Sequence, residues 1–358
     1  MKLIIATCLL VSSISAFAQP PRAALDACHN AAAESPCRFN SPHGSVEGTC
    51  LQPPRERQLV CVPDHMRRGP SETAARNQRP PTRTHTTIQS KGNIGAIKAD
   101  RKPISPNKIT TNIVNGERIL AANGIAAHLT GLFPNRGNPH SIRAQNYLFK
   151  VPAKPVLAGK TTTLGMHNFG LAVNGVPFDP GAAEWYLGNR RSGWQYEAMS
   201  GAIPLGLDEN HAHVQPQGAY HYHGLPTLLT SHLKVSPTVH SPLVGWAADG
   251  FPIYALYGYS VTDDPNSNII EKTSSYRLKR GKRPAGSDDP GGYYDGTFVA
   301  DYEYVENTGD LDECNGQQTQ TPEFPTGTYA YFLTKSFPII PRCFKGTPSN
   351  TFTQQRAR

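Results

Sequence analysis

The sequence of 358 residues lacks the short motifs by which several large enzyme classes are recognised. It contains no GxSxG nucleophile elbow, P-loop, HExxH helix or GxGxxG turn in a supporting context. Because each of these motifs places a catalytic group at a fixed spacing, no serine nucleophile can be assigned. The missing motifs leave open whether the protein is an enzyme.

Long apolar runs are also missing, except at the N-terminus. Lys2 precedes the apolar stretch Leu3–Ile14, and the residues AFA at 16–18 fit a small-x-small cleavage site. This pattern predicts a removed signal peptide over residues 1–18 and export, either to the periplasm or outside the cell. Since no other stretch approaches the roughly 18 apolar residues that span a bilayer, we expect no transmembrane anchor.

Most of the chain has no excess of positive or negative charge. The formal net charge is +8, of which Lys2 contributes one. Residues 64–108 contain ten Lys or Arg residues and three Asp or Glu residues, which is a net of +7. We interpret this segment as a basic flexible linker that either contacts anionic surfaces or is simply solvated. The balanced remainder argues against specific nucleic-acid binding.

Cysteine is scarce, and its number becomes even once Cys8 leaves with the signal peptide. The remaining six are Cys28, Cys37, Cys50, Cys61, Cys314 and Cys343. An even count in an exported chain predicts disulfides, although six cysteines allow 15 pairings. Clustering favours two bridges within a small cystine-stabilised module at residues 19–63 and a third bridge between the last two cysteines. A zinc knuckle on the first four is the alternative, but no C-x₂₋₄-C pair supports it.

Helical patterns are rare between residues 109 and 347. Short alternating or β-branched segments are separated there by Gly- and Pro-rich turns. This pattern predicts a mainly β domain, sandwich or barrel-like, with few short helices. The best helix candidates are Ala182–Leu187 and Pro226–Leu233. Residues 348–358 are predicted to be a polar tail.

What the sequence does contain is histidine at a period of two. The alternating residues are His211 and His213, followed by Tyr220, His221, Tyr222 and His223. In a strand, residues i and i+2 point to the same face. With Pro216 and Gly218 between the two groups, the pattern predicts a hairpin. Its histidines would face a common site, and its tyrosines would pack into the core on the opposite face.

Clustered imidazoles indicate a transition-metal site. Imidazole is neutral at neutral pH and is the commonest protein ligand for such ions, so copper or zinc is expected first. The predicted ligands are His211, His213, His221, His223 and His167. Two alternatives remain open: a structural network in which the histidines bond to loop carbonyls, and metal-free acid–base catalysis.

Three carboxylates are candidate catalytic groups. Asp208 and Glu209 precede the first histidine pair, and Asp249 lies between two strand-like segments. In a metal-dependent hydrolase or oxidoreductase, one of them would act as general base on metal-bound water. Alternatively, Asp208 and Glu209 orient imidazoles or are exposed loop residues, and Asp249 is a turn residue.

A non-catalytic module that binds a surface, a glycan or a partner is the second hypothesis. Four aromatic residues close in sequence could offer stacking faces or could fill the core. They are Trp185, Tyr186, Trp194 and Tyr196.

Four longer stretches resemble a known family. They read DENHAHVQPQGAYHYHGLP, LVGWAADGFPIYALYGY, DECNG and GTYAYFLTKSFPIIPRCFKG. Together they resemble the YHYH-domain family of exported proteins over roughly Asn112–Gly346, and the namesake tetrad falls on residues 220–223. The resemblance implies an exported β-rich domain with a histidine-centred site, but it implies no particular reaction.

Overall fold

The structure, a computed structural model, describes residues 21–41, 44–52, 58–63, 86–88 and 95–354. The chain divides into two compact units, residues 1–81 and 82–358. Strands make up 35% and helices 9%, which confirms the predicted mainly β class with few short helices. The signal peptide predicted at residues 1–18 lies outside the described residues.

The smaller unit is a cystine-stabilised sheet. It contains α1 (Arg22–Asp26) and an antiparallel sheet of β1 (Pro36–Ser41), β2 (Gly44–Leu51) and β3 (Val60–Pro63). The bridges Cys28–Cys50 and Cys37–Cys61 confirm the prediction of two disulfides among the first four cysteines. Three of these sulfurs lie close enough to hold a metal ion, but a disulfide sulfur is not a thiolate. The bridges therefore favour the disulfide prediction over the zinc knuckle.

The larger unit contains two main sheets and several two-stranded pairs. The first sheet is antiparallel, with the order β4 (Ile109–Val114), β5 (Glu117–Ala122) and β6 (Tyr147–Pro152). The second sheet contains β8 (Gly170–Ala172), β9 (Pro177–Phe178), β12 (Ala212–Val214), β13 (Tyr220–Tyr222), β14 (Gly245–Ala247), β15 (Pro252–Ala255), β20 (Gly316–Thr321) and β21 (Phe324–Leu333). Its strands lie in the order β12-β13-β9-β8-β14-β15-β21-β20, and the β13–β9 and β15–β21 pairs are parallel.

The remaining elements are short. The pairs are β7 (Thr162–Thr163) with β22 (Cys343–Phe344), β10 (Gly181–Trp185) with β11 (Gln195–Glu197), β16 (Tyr257–Tyr259) with β17 (Ile269–Glu271), and β18 (Tyr276–Leu278) with β19 (Tyr302–Tyr304). The α-helices are α2 (Thr227–His232) and α3 (Thr351–Gln354), and 3₁₀ turns cover Tyr186–Gly188, Arg190–Ser192, Ala198–Ser200 and Val299–Asp301.

The buried faces of the two main sheets meet in one core. The alternating burial of β5 and β6 points Leu120 and Phe149 inward, where they join Phe178 and Tyr222 of the larger sheet. Each large apolar side chain that is fully buried contributes roughly 1.5–3 kcal/mol to stability. This sandwich-like packing gives the edge of the larger sheet a rigid support, and the β12–β13 hairpin lies at that edge.

One of the two predicted helices is confirmed and the other is wrong. The prediction for Pro226–Leu233 corresponds to α2. The prediction for Ala182–Leu187 is wrong, because this stretch is mostly β10 and then a 3₁₀ turn. Pairing with β11 brings Trp185 opposite Gln195, so tertiary pairing outweighs the local helix preference of the Ala-Ala-Glu segment.

The described end of the predicted basic linker runs along the larger unit. The Ile97 N–H donates to the carbonyl of Leu207, and Arg101 exchanges two backbone hydrogen bonds with Thr130. The rest of residues 64–108 lies outside the described residues except for 86–88. Residues 95–108 are thereby fixed to the larger unit, while the predicted domain limits stay a prediction.

The C-terminal part of the larger unit is held by a disulfide and by an aromatic contact. Cys314 and Cys343 form the predicted third bridge. Within the segment predicted to be a polar tail, Phe352 of α3 is buried and stacks on Phe149 at 4.0 Å between ring centroids. None of the helices that the structure describes is long and apolar enough to cross a membrane.

Candidate metal centre

The histidine motif forms the predicted hairpin. Strands β12 and β13 pair antiparallel, with His213 opposite His221. In the turn, Gly218 has φ +94°, and its N–H donates to the carbonyl of Gln215. A positive φ is easily reached by glycine, which explains why this residue closes the turn.

The tyrosines and the histidines of the hairpin lie on opposite faces, as predicted. The hydroxyl of Tyr220 donates to Asp208 Oδ2 at 2.7 Å, and Tyr222 Oη lies 2.6 Å from His128 Nε2. Asn174 Nδ2 also donates to the Tyr222 hydroxyl, at 2.9 Å. Both tyrosines are fully buried, so one face of the hairpin is built into the core.

Three of the histidines meet on the other face. His223 Nε2 lies 3.0 Å from His221 Nε2 and 3.0 Å from His213 Nε2. Each pair of rings is separated by 4.7 Å between centroids. His221 and His223 are buried, and His213 is half-buried. We call His213, His221 and His223 the histidine triad.

Backbone carbonyls fix the tautomers of two triad members. His213 Nδ1 lies 2.9 Å from the carbonyl of Leu205, and His221 Nδ1 lies 3.1 Å from the carbonyl of Ala219. Since a carbonyl only accepts, each Nδ1 carries the proton, and the Nε2 of a neutral ring is left with a lone pair. This is the usual arrangement behind histidines that bind metals.

The third ring is buried, which disfavours its charged form. Burial lowers the pKa of His223 well below its ordinary value, and His213, His221 and Arg342 add to this shift. The nearby Pro180 carbonyl partly opposes it. The ring Nδ1 is buried and makes no hydrogen bond of normal geometry among the described residues.

The triad has the geometry of a metal-binding group. All three ligand nitrogens lie within 4.8 Å of one another. A zinc ion bound at 2.0–2.1 Å with tetrahedral angles separates its nitrogen ligands by about 3.3 Å. The two observed separations of 3.0 Å need only a small expansion to reach that value. The triad can therefore hold a metal ion.

The triad lines a cavity of about 530 Å³. Two carboxylates, Asp179 and Glu184, also line it, together with Arg190 and Gln215. Asp179 is buried next to the hairpin, because its N–H donates to the carbonyl of Tyr222 and its Oδ2 accepts from Gln215 Nε2 at 2.9 Å. The cavity provides room for a ligand next to the triad.

Two predicted ligands lie outside the triad. His211 adopts φ +55° at the start of the hairpin, and its Nδ1 is 2.6 Å from the carbonyl of Leu225. His167 is half-buried, and it belongs neither to the triad nor to the cavity lining. The structure thus groups three of the five predicted histidines.

The three predicted catalytic carboxylates do not line the triad cavity. Asp208 is buried and accepts from Tyr220, the N–H of Gly131 and the N–H of Asn210. Glu209 is exposed and accepts from the Ala99 N–H.

Asp249 is likewise bound by internal donors. It accepts from the Tyr331 hydroxyl at 2.5 Å and the Gly346 N–H at 2.9 Å, and burial raises its pKa. Like Asp208, Asp249 is therefore a buried carboxylate whose hydrogen-bond partners all lie within the fold. Asp179, which does line the cavity, was not among the predicted residues. Its only sequence signal is its position at the end of a short strand, before Pro180.

A family comparison agrees with the position of this site. The model of the family described as YHYH protein matches residues 148–346. The chain belongs to the YHYH protein family. The match covers more than half of the chain and includes the tetrad of residues 220–223, as the sequence resemblance indicated. Searches of curated proteins and of solved structures found no match.

The four aromatic residues that the sequence offered as a stacking surface do not form an exposed row. Trp194 and Tyr196 are buried in a second core cluster around Phe298, while Trp185 and Tyr186 are half-buried. This packing removes the main argument for a stacking surface, so the histidine triad is the strongest candidate site.

Proposed function

We propose that this YHYH protein is an exported metal-binding protein whose ion is bound by His213, His221 and His223. The observation that carries the proposal is the convergence of three Nε2 atoms, two of which have their protons fixed on Nδ1. A single proton on His223 Nε2 can complete a linear hydrogen bond to one neighbour only. One metal ion can accept all three lone pairs.

Copper or zinc fits this ligand set best. Three neutral imidazoles suit zinc and copper, whereas magnesium and calcium prefer oxygen ligands. Burial also favours the neutral, metal-binding form of His223. Because no carboxylate belongs to the triad, a divalent ion would keep its full charge there, and Asp179 in the cavity would partly compensate it.

We further propose that the ion keeps a coordination position open toward the cavity. A three-histidine site with an open position can activate water or bind a small substrate, as a metal-dependent hydrolase or oxidoreductase requires. Asp179 and Glu184 both line the cavity of the triad, and we propose the buried one, Asp179, as general base. Asp208, Glu209 and Asp249 do not line this cavity.

Export is part of the proposal. The sequence pattern of residues 1–18 supports it. Three disulfides agree with an oxidising compartment. N-terminal sequencing of the protein recovered from the periplasm or the medium tests this part, and a mature chain that begins at Gln19 is expected. Retention of Met1 on the recovered chain would contradict the proposed cleavage.

The deciding experiment is the metal content of the mature protein, purified without a metal-binding tag. We expect about one equivalent of copper or zinc in the wild type and in His211→Ala, and little in His213→Ala. His211→Ala is the matched control, because this histidine lies in the same hairpin but outside the triad. If the wild type contains no metal and takes up none on titration, the histidines are a structural network instead.

The open position has its own test. In the cobalt-substituted protein, azide should change the visible absorption spectrum, because an exogenous ligand can enter an open site. Cobalt binding without any response to azide would indicate a closed, structural site. That result would leave the metal-binding proposal intact and remove the catalytic one.

A further inference from the structure

Among the residues that the structure describes, two arginines of the larger unit are buried, and their surroundings are opposite. Arg283 donates to both carboxylate oxygens of Asp301, at 2.7 and 2.6 Å, and forms an ion pair with Asp295. Arg118 is only 7% exposed, yet its guanidinium makes no hydrogen bond or ion pair with any residue that the structure describes. Arg118 is therefore a buried cation without an anionic partner in the described protein.

Arg118 lies between the two main sheets. Its strand, β5, places it opposite Ile113 and Val151 and points it to the buried side of the smaller sheet. There its Cζ lies 3.6 Å from the ring centroid of Trp246 on β14. Arg118 precedes the region matched by the family model, whereas Trp246 lies within it. This arginine thus belongs to the part of the chain that the family match does not cover.

Stacking on Trp246 compensates only part of the cost of burying the charge. A cation over an indole gains less free energy than an unpaired buried charge costs. Arg118 Nε is completely buried without an acceptor. The two terminal nitrogens, which also make no hydrogen bond with the described residues, are further donors of fixed geometry beside the indole.

We propose that Arg118, stacked on Trp246, is a binding site for a small oxyanion: sulfate, phosphate or a carboxylate group. The terminal nitrogens of a guanidinium match two oxygens of such groups. At 7% exposure, Arg118 can present these donors to one small group but not to a broad ligand surface. The site is separate from the metal centre, because neither Arg118 nor Trp246 lines the triad cavity.

The test compares Arg118→Met with Arg136→Met in metal-free protein. Arg136 is an exposed arginine, so its variant removes the same charge and controls for general effects of salt. Melting temperatures are measured in sodium sulfate and in sodium acetate, against sodium chloride of equal ionic strength. We expect a saturable rise in the wild type and in Arg136→Met, and only the unsaturable salt effect in Arg118→Met.

Each result of the melting experiment either supports or overturns the proposed anion site. A saturable response to sulfate identifies a site for a free inorganic anion, and a response to acetate alone identifies a site for the carboxylate of an organic ligand. Either response supports the proposal, provided that Arg118→Met lacks it. A wild type with no saturable response, or an Arg118→Met protein with the same response, overturns the proposal.

A second measurement covers the case in which Arg118→Met does not fold. Equilibrium dialysis of labelled sulfate and acetate against the wild type and Arg118→Lys then replaces the melting curves. Lysine keeps the charge but lacks the planar pair of donors, so we expect one equivalent bound by the wild type and about tenfold weaker binding by the variant. Equal affinity in both proteins, or no binding, contradicts the site.

Discussion

The two faces of the β12–β13 hairpin use polar side chains in opposite ways. On the tyrosine face, Tyr220 and Tyr222 donate to or accept from partners of different chemistry, namely a carboxylate, an imidazole and an amide. On the histidine face, three ring nitrogens of one kind face one another. Complementary partners stabilise a fold by themselves, whereas convergent acceptors are best satisfied by a cation. A single motif therefore carries a structural network on its tyrosine face and a candidate binding site on its histidine face.

The largest expected effect comes from removing the metal. A metal present at about a thousand times its Kd stabilises the folded state by about 4 kcal/mol. Chelation should therefore lower the free energy of unfolding of the wild type by about this amount, and it should leave His213→Ala unchanged. Urea unfolding with and without a chelator measures both. Equal sensitivity of the two proteins to the chelator would place the metal elsewhere.

Asp208→Ala should produce the largest effect on the tyrosine face. The substitution leaves the Tyr220 hydroxyl and the N–H groups of Gly131 and Asn210 without their acceptor. We expect a loss of about 3 kcal/mol, because buried donors without partners cost about 1–3 kcal/mol each and some regain water. The variant should still bind one metal. Loss of metal in a protein that remains folded would show that the two faces are coupled.

A smaller effect on stability should come from a change in pH. It should be seen in the metal-free protein, and it should depend on the histidine face of the hairpin. The folded-state pKa of His223 is lowered, so the unfolded chain binds this proton more readily than the folded chain does. Stability from this residue should therefore be lost as pH falls below the ordinary histidine pKa of about 6.5, by at most about 1.4 kcal/mol per pH unit.

His223→Gln isolates this contribution. His128 and His240 also have pKa values lowered by burial, so they add dependence of the same sign to every variant. The measurement is urea unfolding between pH 7 and pH 5 with a chelator present. The slope should be steeper in the wild type than in His223→Gln, and parallel curves would contradict the assignment of the shift to His223.

The hairpin was predicted from the sequence, and so was the separation of its histidines and tyrosines onto opposite faces. Both predictions succeeded because alternation with a period of two is a local property of a strand. The sequence did not predict which histidines converge. His211 has the right spacing, but its φ of +55° takes its ring to the carbonyl of Leu225. Asp179 reaches the cavity through parallel pairing of Phe178 with Tyr222, which joins residues 44 positions apart. No local pattern indicates a contact of that range.

The last and smallest expected effect is that of Tyr222→Phe. The hydroxyl takes part in a chain in which Asn174 donates to Tyr222, Tyr222 donates to His128 Nε2, and His128 Nδ1 donates to the Leu129 carbonyl. Removing it should cost about 1–2 kcal/mol, since Asn174 and His128 each lose a buried partner while the ring packing stays intact. Metal content should be unchanged, because the side chain points away from the triad. A folded Tyr222→Phe protein that loses its metal would mean that the tyrosines position the neighbouring imidazoles, and that the two faces of the hairpin act as one site.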